Sequence, residues 1–137
     1  MTSPKSSGPK ILVVEDEWMI AEHLSMLLED MGCEVVGPVA TVADALAKIE
    51  AEKIDCALLD ANLNGTSSAP IVDALAAEAV PFIMVTGYGG LELPTPEMNA
   101  APRLTKPFME HELQKVLSSV IGAGEAQAVS PLSPTPR

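Results

Sequence analysis

The sequence predicts an α/β fold built on a doubly wound, parallel five-stranded sheet, and three observations carry that reading. Short apolar runs alternate with longer segments of helical period. Each run is apolar throughout, as a strand covered on both faces must be. The 137 residues leave room for one domain, and 47% of them are hydrophobic. A chain of that size buries about 68% of the surface its unfolded form exposes, so a full core is available. The aromatic residues are Trp18, Tyr88, Phe82 and Phe108. The core is therefore aliphatic, and platforms for stacking nucleic-acid bases are not expected.

The elements follow in order. Ile11-Leu12-Val13-Val14 forms the first strand and ends in Glu15-Asp16-Glu17. Ile20, Leu24, Leu27, Leu28 and Met31 recur at helical spacing up to Gly32, a natural helix stop. Cys33 to Val36 reads as the second strand, closed by Gly37-Pro38. Thr41 caps a second helix, with Asp44 three residues on and Val42, Leu46 and Ile49 as its buried stripe. Cys56 to Leu59 is the third strand, ending on Asp60 and followed by the turn-like Asn62-Leu63-Asn64-Gly65. A third helix runs from Ser67 or Ser68 to Glu78, with Ile71, Leu75 and Ala79 inward. Phe82 to Val85 is the fourth strand, ending on Thr86. Arg103 to Lys106 is a short fifth strand, and Glu110 to Val120 a last helix with Leu113, Val116, Leu117 and Val120 on one face. Between Gly87 and Pro102, three glycines and three prolines interrupt the pattern, so the fourth helix is expected to be short or mobile.

Both ends differ in composition from this stretch. Residues 1–9 and 122–137 are rich in Ser, Pro, Gly and Ala and read as disordered tails around a domain at 10–121. The formal charge of −11, from 8 basic and 19 acidic residues, repels phosphate backbones and anionic lipid. Nucleic acid and membranes are poor partners. Cys33 and Cys56 lie in apolar runs without metal or redox spacing and read as small buried hydrophobes. No signal-like or membrane-length apolar segment is present, so a cytoplasmic protein is expected.

In a sheet of flavodoxin-like order 2-1-3-4-5, ligands sit beyond the carboxyl ends of the strands, where strands one and three are neighbours. Glu15 and Asp16 would then converge with Asp60. Carboxylates about 4 Å apart repel by ~1 kcal/mol in water and ~4 kcal/mol near a protein surface, so the group calls for a cation. Oxygen-only ligands suit Mg²⁺. Asp16 and Asp60 are expected as direct ligands, with the longer Glu15 acting through water. Thr86 ends strand four and Lys106 ends strand five. Carboxylates, a metal, an ammonium and a hydroxyl suit the transfer of a phosphoryl group to a carboxylate oxygen, and central Asp60 is the candidate acceptor. A flavin-type cofactor does not suit the site, because the acids would repel its phosphate.

Over about residues 10–121 the sequence resembles the bacterial response-regulator receiver domain of two-component systems, the CheY-like family. The residues that carry the likeness are Glu15-Asp16, Leu58-Leu59-Asp60 with Asn62 and Gly65 following, Thr86-Gly87, and Lys106-Pro107. The resemblance implies phosphorylation of Asp60 by a sensor histidine kinase. It also implies Mg²⁺ or Mn²⁺ held by Asp16, Asp60 and the Asn62 carbonyl, and a cis Lys106-Pro107 bond. The segment Pro81 to Gly89 is similar to the "FAT GUY" subgroup of stand-alone receivers, which implies a kinase of the HWE or HisKA2 type. One departure stands out. Three positions before the lysine, where receivers commonly carry an aromatic switch, this chain has Arg103.

The expected function is that of a stand-alone response regulator, not an enzyme acting on an external substrate. It would work by phosphorylation-dependent binding to a downstream protein or as a phosphate sink, as a monomer or weak dimer. The alternative is a non-phosphorylated pseudo-receiver that scaffolds partners. Asn62 and Tyr88, two residues beyond Asp60 and Thr86, are expected to tune the lifetime of the aspartyl phosphate. His23 and His111 lack partners at metal spacing and are expected at the surface. The cluster Gly87, Gly89, Gly90 lacks a following lysine and reads as flexible chain, not a phosphate cradle.

Overall fold

The computed structural model describes residues 8–87, 93 and 95–121, without the Asn62 side chain. The elements are β1 (Lys10–Val14), α1 (Trp18–Asp30), β2 (Glu34–Val39), α2 (Val42–Ala51), β3 (Cys56–Asp60), β4 (Asn62–Leu63), β5 (Thr66–Ser67), α3 (Ala69–Ala77), β6 (Phe82–Thr86), α4 (Pro96–Ala100), β7 (Arg103–Thr105) and α5 (Glu110–Ile121). The large sheet has the order β2-β1-β3-β6-β7, with every neighbouring pair parallel. This is the doubly wound 2-1-3-4-5 arrangement, with the short hairpin β4-β5 added beside it.

Each strand face meets its own helices because alternate residues point to opposite sides. Ile11, Val13, Leu58, Ile83 and Val85 pack with Leu24 and Leu28 of α1 and Leu113 and Leu117 of α5. Leu12, Val14, Leu59 and Met84 pack on the other side with Ala45 of α2, Ile71 and Leu75 of α3 and Met98 of α4. The centres of β1, β3 and β6 are wholly buried, which is why their sequences are apolar without alternation.

Several expected details shift. Strand β2 continues through Gly37 and Pro38 to Val39, past its anticipated end, with an irregularity in its register against β1 that accommodates the glycine and proline. Lys106-Pro107 is cis as expected, and Gly37-Pro38 is cis as well. Pro9, assigned by composition to the N-terminal tail, is buried and accepts the Glu34 N–H at 2.8 Å. Gly8 lies so near Gly32 that an added Cβ would collide with the Gly32 carbonyl. The fold thus begins at least two residues ahead of β1's first residue. The remaining residues of both expected tails, with Tyr88, Gly89 and Gly90, lie outside the described set.

The Asn64-Gly65 turn makes a hairpin, which the sequence reading registered only as a turn. Both residues have positive φ, 55° and 91°, as two-residue hairpin loops require. In α2, the Thr41 side chain accepts the Asp44 N–H at 3.1 Å as expected. The fully buried residue there is Ala45, with Val42, Leu46 and Ile49 half-buried around it. Ala79, expected inward on α3, is exposed beyond the helix end at φ 58°.

Helix α4 has only five residues. Around it, one amide gathers the chain. Asn99 Oδ1 accepts from Leu93 N–H and from Arg103 Nη2, both at 2.9 Å, and Asn99 Nδ2 donates to the carbonyls of Leu93 at 2.8 Å and Thr95 at 3.0 Å. Arg103 therefore occupies the place of the common aromatic switch and makes a polar tie to α4.

Cys33 and Cys56 are free and buried. Burial pushes their thiols up to about 11 and about 12 respectively. The thiolate is the reactive form. Titration of the folded protein with a chromogenic disulfide at pH 8 is expected to modify both thiols at least tenfold more slowly than in denaturant, and equal rates would contradict their burial.

Candidate functional site

The sheet register builds the site. Val14 lies level with Leu59, and Asp60 lies level with Val85 on the other side. Thr86 is level with Thr105, and the Lys106 N–H donates to the Thr86 carbonyl at 2.8 Å. The residue after β1, the last of β3, the last of β6 and the residue after β7 therefore reach one rim of the sheet. That rim is the carboxyl edge, where the two halves of the winding diverge.

Glu15, Asp16 and Asp60 each bring a carboxylate oxygen within 4.8 Å of the others. Lys106 joins them. Its Nζ lies 3.1 Å from Glu15 Oε1 and 3.4 Å from Asp60 Oδ2. The Lys106 side chain is 18% exposed, Glu15 1% and Asp60 13%. This is a partly desolvated ion-pair network, unlike an exposed surface pair. Burial first, and Asp60 beside it, push Glu15 up from its usual 4.5 to about 7, while Lys106 and a hydrogen bond from the Glu17 N–H pull it down. Burial works against the Lys106 charge, but Asp60 and Glu15 outweigh it, and its pKa stands above the ordinary value.

Among the described residues, the buried Thr86 Oγ1 has no hydrogen-bond partner, and the buried Glu15 Oε1 is met by the Lys106 ammonium at 3.1 Å. An unsatisfied buried oxygen costs about 1–3 kcal/mol, so the Thr86 hydroxyl at this rim marks a place for a ligand. Three converging carboxylate oxygens suit a hard divalent cation that keeps several waters, as Mg²⁺ does. The donor set fits that ion, and the Thr86 hydroxyl fits an oxygen of an anion bound next to it.

Every charged residue the sequence reading placed here is in the cluster. Glu15 is the most buried of the acids and stands in contact with Lys106. Asn62 opens β4 just beyond Asp60, with its side chain outside the described residues. Tyr88 also lies outside them. Sequence reasoning missed Glu17, whose Oε1 lies 3.6 Å from Lys106 Nζ. Its signal was the third acid in the run Glu15-Asp16-Glu17. His23 is exposed and stacks on Phe108, with ring centroids 5.6 Å apart. That contact ties α1 to the segment carrying Lys106.

The comparisons with known proteins agree with this geometry. A solved structure of SdrG from Sphingomonas melonis Fr1 is similar at 40% identity and TM-score 0.71, covering 81% of this chain and 94% of that one. The receiver domain of the sensor histidine kinase PA1611 from Pseudomonas aeruginosa PAO1 is similar at 28% identity and TM-score 0.73, covering 85% and 99%, and it carries a magnesium ion coordinated in its active-site cleft. The sensory transduction protein RegX3 of Mycolicibacterium smegmatis is 35% identical over 122 residues, 83% of this chain and 51% of that protein. The chain spans about half the length of the curated relatives it matches. Among the described residues no helix is long and apolar enough to cross a membrane. A family model for the response regulator receiver domain matches residues 11–118, and the chain belongs to that family of two-component signalling domains.

Proposed function

We propose that this receiver works as a stand-alone response regulator, taking a phosphoryl group from a histidine kinase onto Asp60. The observation that carries the reading is Lys106 Nζ within 3.4 Å of both Asp60 and Glu15, at a rim where three carboxylates meet. Asp16 and Asp60, with the Asn62 carbonyl, would hold Mg²⁺, and that ion supplies charge neutralisation beside the incoming phosphoryl oxygens. An Asp60 carboxylate oxygen attacks phosphorus, and the electron pair of the breaking bond leaves with the donor. Lys106 neutralises charge on the phosphoryl oxygens, and the buried Thr86 hydroxyl donates to one of them after transfer. The chain assists its own phosphorylation and turns over no separate substrate. Asn62 and Tyr88 set how long the aspartyl phosphate lasts. The match over 94% of the SdrG chain is compatible with a stand-alone role, and the FAT GUY-like segment favours a kinase of the HWE or HisKA2 type in the cytoplasm. Trp18 and Met19 on α1, 71% and 67% exposed, offer an apolar contact next to the site for such a kinase.

Intact-mass measurement after incubation with Mg²⁺ and acetyl phosphate or phosphoramidate is the test. An adduct of ~80 Da that requires Mg²⁺ and vanishes in Asp60→Asn is expected. No adduct with either donor, or one that survives Asp60→Asn, overturns the reading and leaves the scaffold role.

A further inference from the structure

The three acids paired with Lys106 differ in how they face solvent. Glu15 and Asp60 are 1% and 13% exposed, whereas the Glu17 side chain is 63% exposed with its Oε1 3.6 Å from Nζ. The Glu17 N–H donates to Glu15 Oε2 at 3.1 Å. Its main chain is thus tied to the floor of the site while its carboxylate stands on the solvent side of the lysine. In-line displacement at phosphorus puts the leaving group on the side remote from the attacking oxygen. With Asp60 on the inner side, the leaving group departs toward the open mouth, where Glu17 stands.

We propose that Glu17 is a specificity-determining residue that favours phosphoryl donors with a protonated nitrogen leaving group over acyl phosphates. This rests on Asp60 as the acceptor. With phosphoramidate, an Asp60 oxygen supplies the electron pair of the new P–O bond. The pair of the P–N bond stays on a nitrogen that already carries its proton, and ammonia departs neutral. The ammonium of that donor is attracted to Glu17 before transfer. With acetyl phosphate the same bond to Asp60 forms, but the departing pair leaves on acetate, which adds negative charge beside the Glu17 carboxylate. Partial neutralisation of Lys106 by Glu17 affects both donors alike, so it cancels in the ratio of their rates. A phosphorylated imidazole with a protonated ring has the same cationic leaving group as phosphoramidate.

The experiment compares initial rates of adduct formation from phosphoramidate and acetyl phosphate, with Mg²⁺, in the unaltered protein, Glu17→Gln and Glu17→Lys. Since Glu17 is exposed, both variants keep the core intact. The phosphoramidate-to-acetyl-phosphate ratio is expected to fall about three- to tenfold in Glu17→Gln, the size a unit charge exerts a few ångströms away near water, and further in Glu17→Lys. Added salt is expected to lower the ratio in the unaltered protein toward that of Glu17→Gln. A ratio unchanged across the three proteins overturns the role of Glu17 while leaving Asp60 as acceptor. Absence of adduct from both donors in the unaltered protein overturns the acceptor reading itself, and this proposal with it.

Discussion

Replacing Lys106 with methionine is expected to destabilise the metal-free protein at pH 8 by about 3 kcal/mol, at the low end of what removal of one partner from a buried ion pair produces. The loss comes from Glu15 and Asp60, which would face each other in a partly dry pocket without their cation. Glu15 has an escape, because it can take up a proton. Its folded pKa of about 7 stands above the usual 4.5, so the native state binds that proton more tightly than the unfolded chain. The stability tied to Glu15 is therefore fully present below about 4.5 and is lost as pH rises through about 7. Without Lys106 that decline extends to higher pH, so the variant should lose much less stability at pH 5 than at pH 8. The complementary change, Glu15→Gln, removes the decline. A rise from 4.5 to about 7 corresponds to about 3 kcal/mol at most, so Glu15→Gln should stabilise the metal-free protein at pH 8 by up to that amount and leave it nearly unchanged at pH 4. Urea melts at the three pH values without divalent ions provide the measurement. Equal stability of Lys106→Met and the unaltered protein at pH 8 would show that the network carries no net energy. The site thus holds its carboxylates against the preference of the fold, as functional sites commonly do.

A second large loss is expected from Leu58→Ala. Leu58 sits in β3, the middle strand, between β1 and β6, and is fully buried in the cluster formed with α1 and α5. Neighbours held by sheet hydrogen bonds on both sides cannot close around the space left by the side chain. The cost should lie in the upper half of the ~2–5 kcal/mol range for buried leucine truncation. Against a typical total of ~5–15 kcal/mol, that lowers the thermal midpoint by roughly 10–20 °C. A shift below about 3 °C by calorimetry would mean that the core can repack, contrary to close packing between the helices.

The parts legible in the sequence were those fixed by period and by strand ends. Ile11 to Val14, Cys56 to Leu59 and Phe82 to Val85 are apolar in succession because both of their faces are covered, and that pattern is visible without coordinates. Glu15, Asp60, Thr86 and Lys106 were legible for a related reason, since each lies at the carboxyl end of its strand. What escaped depended on contacts across the chain. The length of β2 depends on pairing with β1 that carries it through Gly37 and Pro38, residues that locally signal a stop. The burial of Pro9 depends on Glu34, twenty-five positions away. Glu17 stood only as the third acid of a run, and its bearing on the site depends on where Lys106 points. Ala79 was placed inward by helical spacing, but the helix ends before it does.

The tie at Asn99 has a consequence for how this receiver could change shape. A single carboxamide holds Leu93, Thr95 and Arg103 together, so α4 and the start of β7 share one polar tie. Sliding α4 along the sheet by small degrees would strain all of these bonds at once. A shift of α4 therefore carries its effect to Arg103, and through Arg103 to β7, by way of this one side chain.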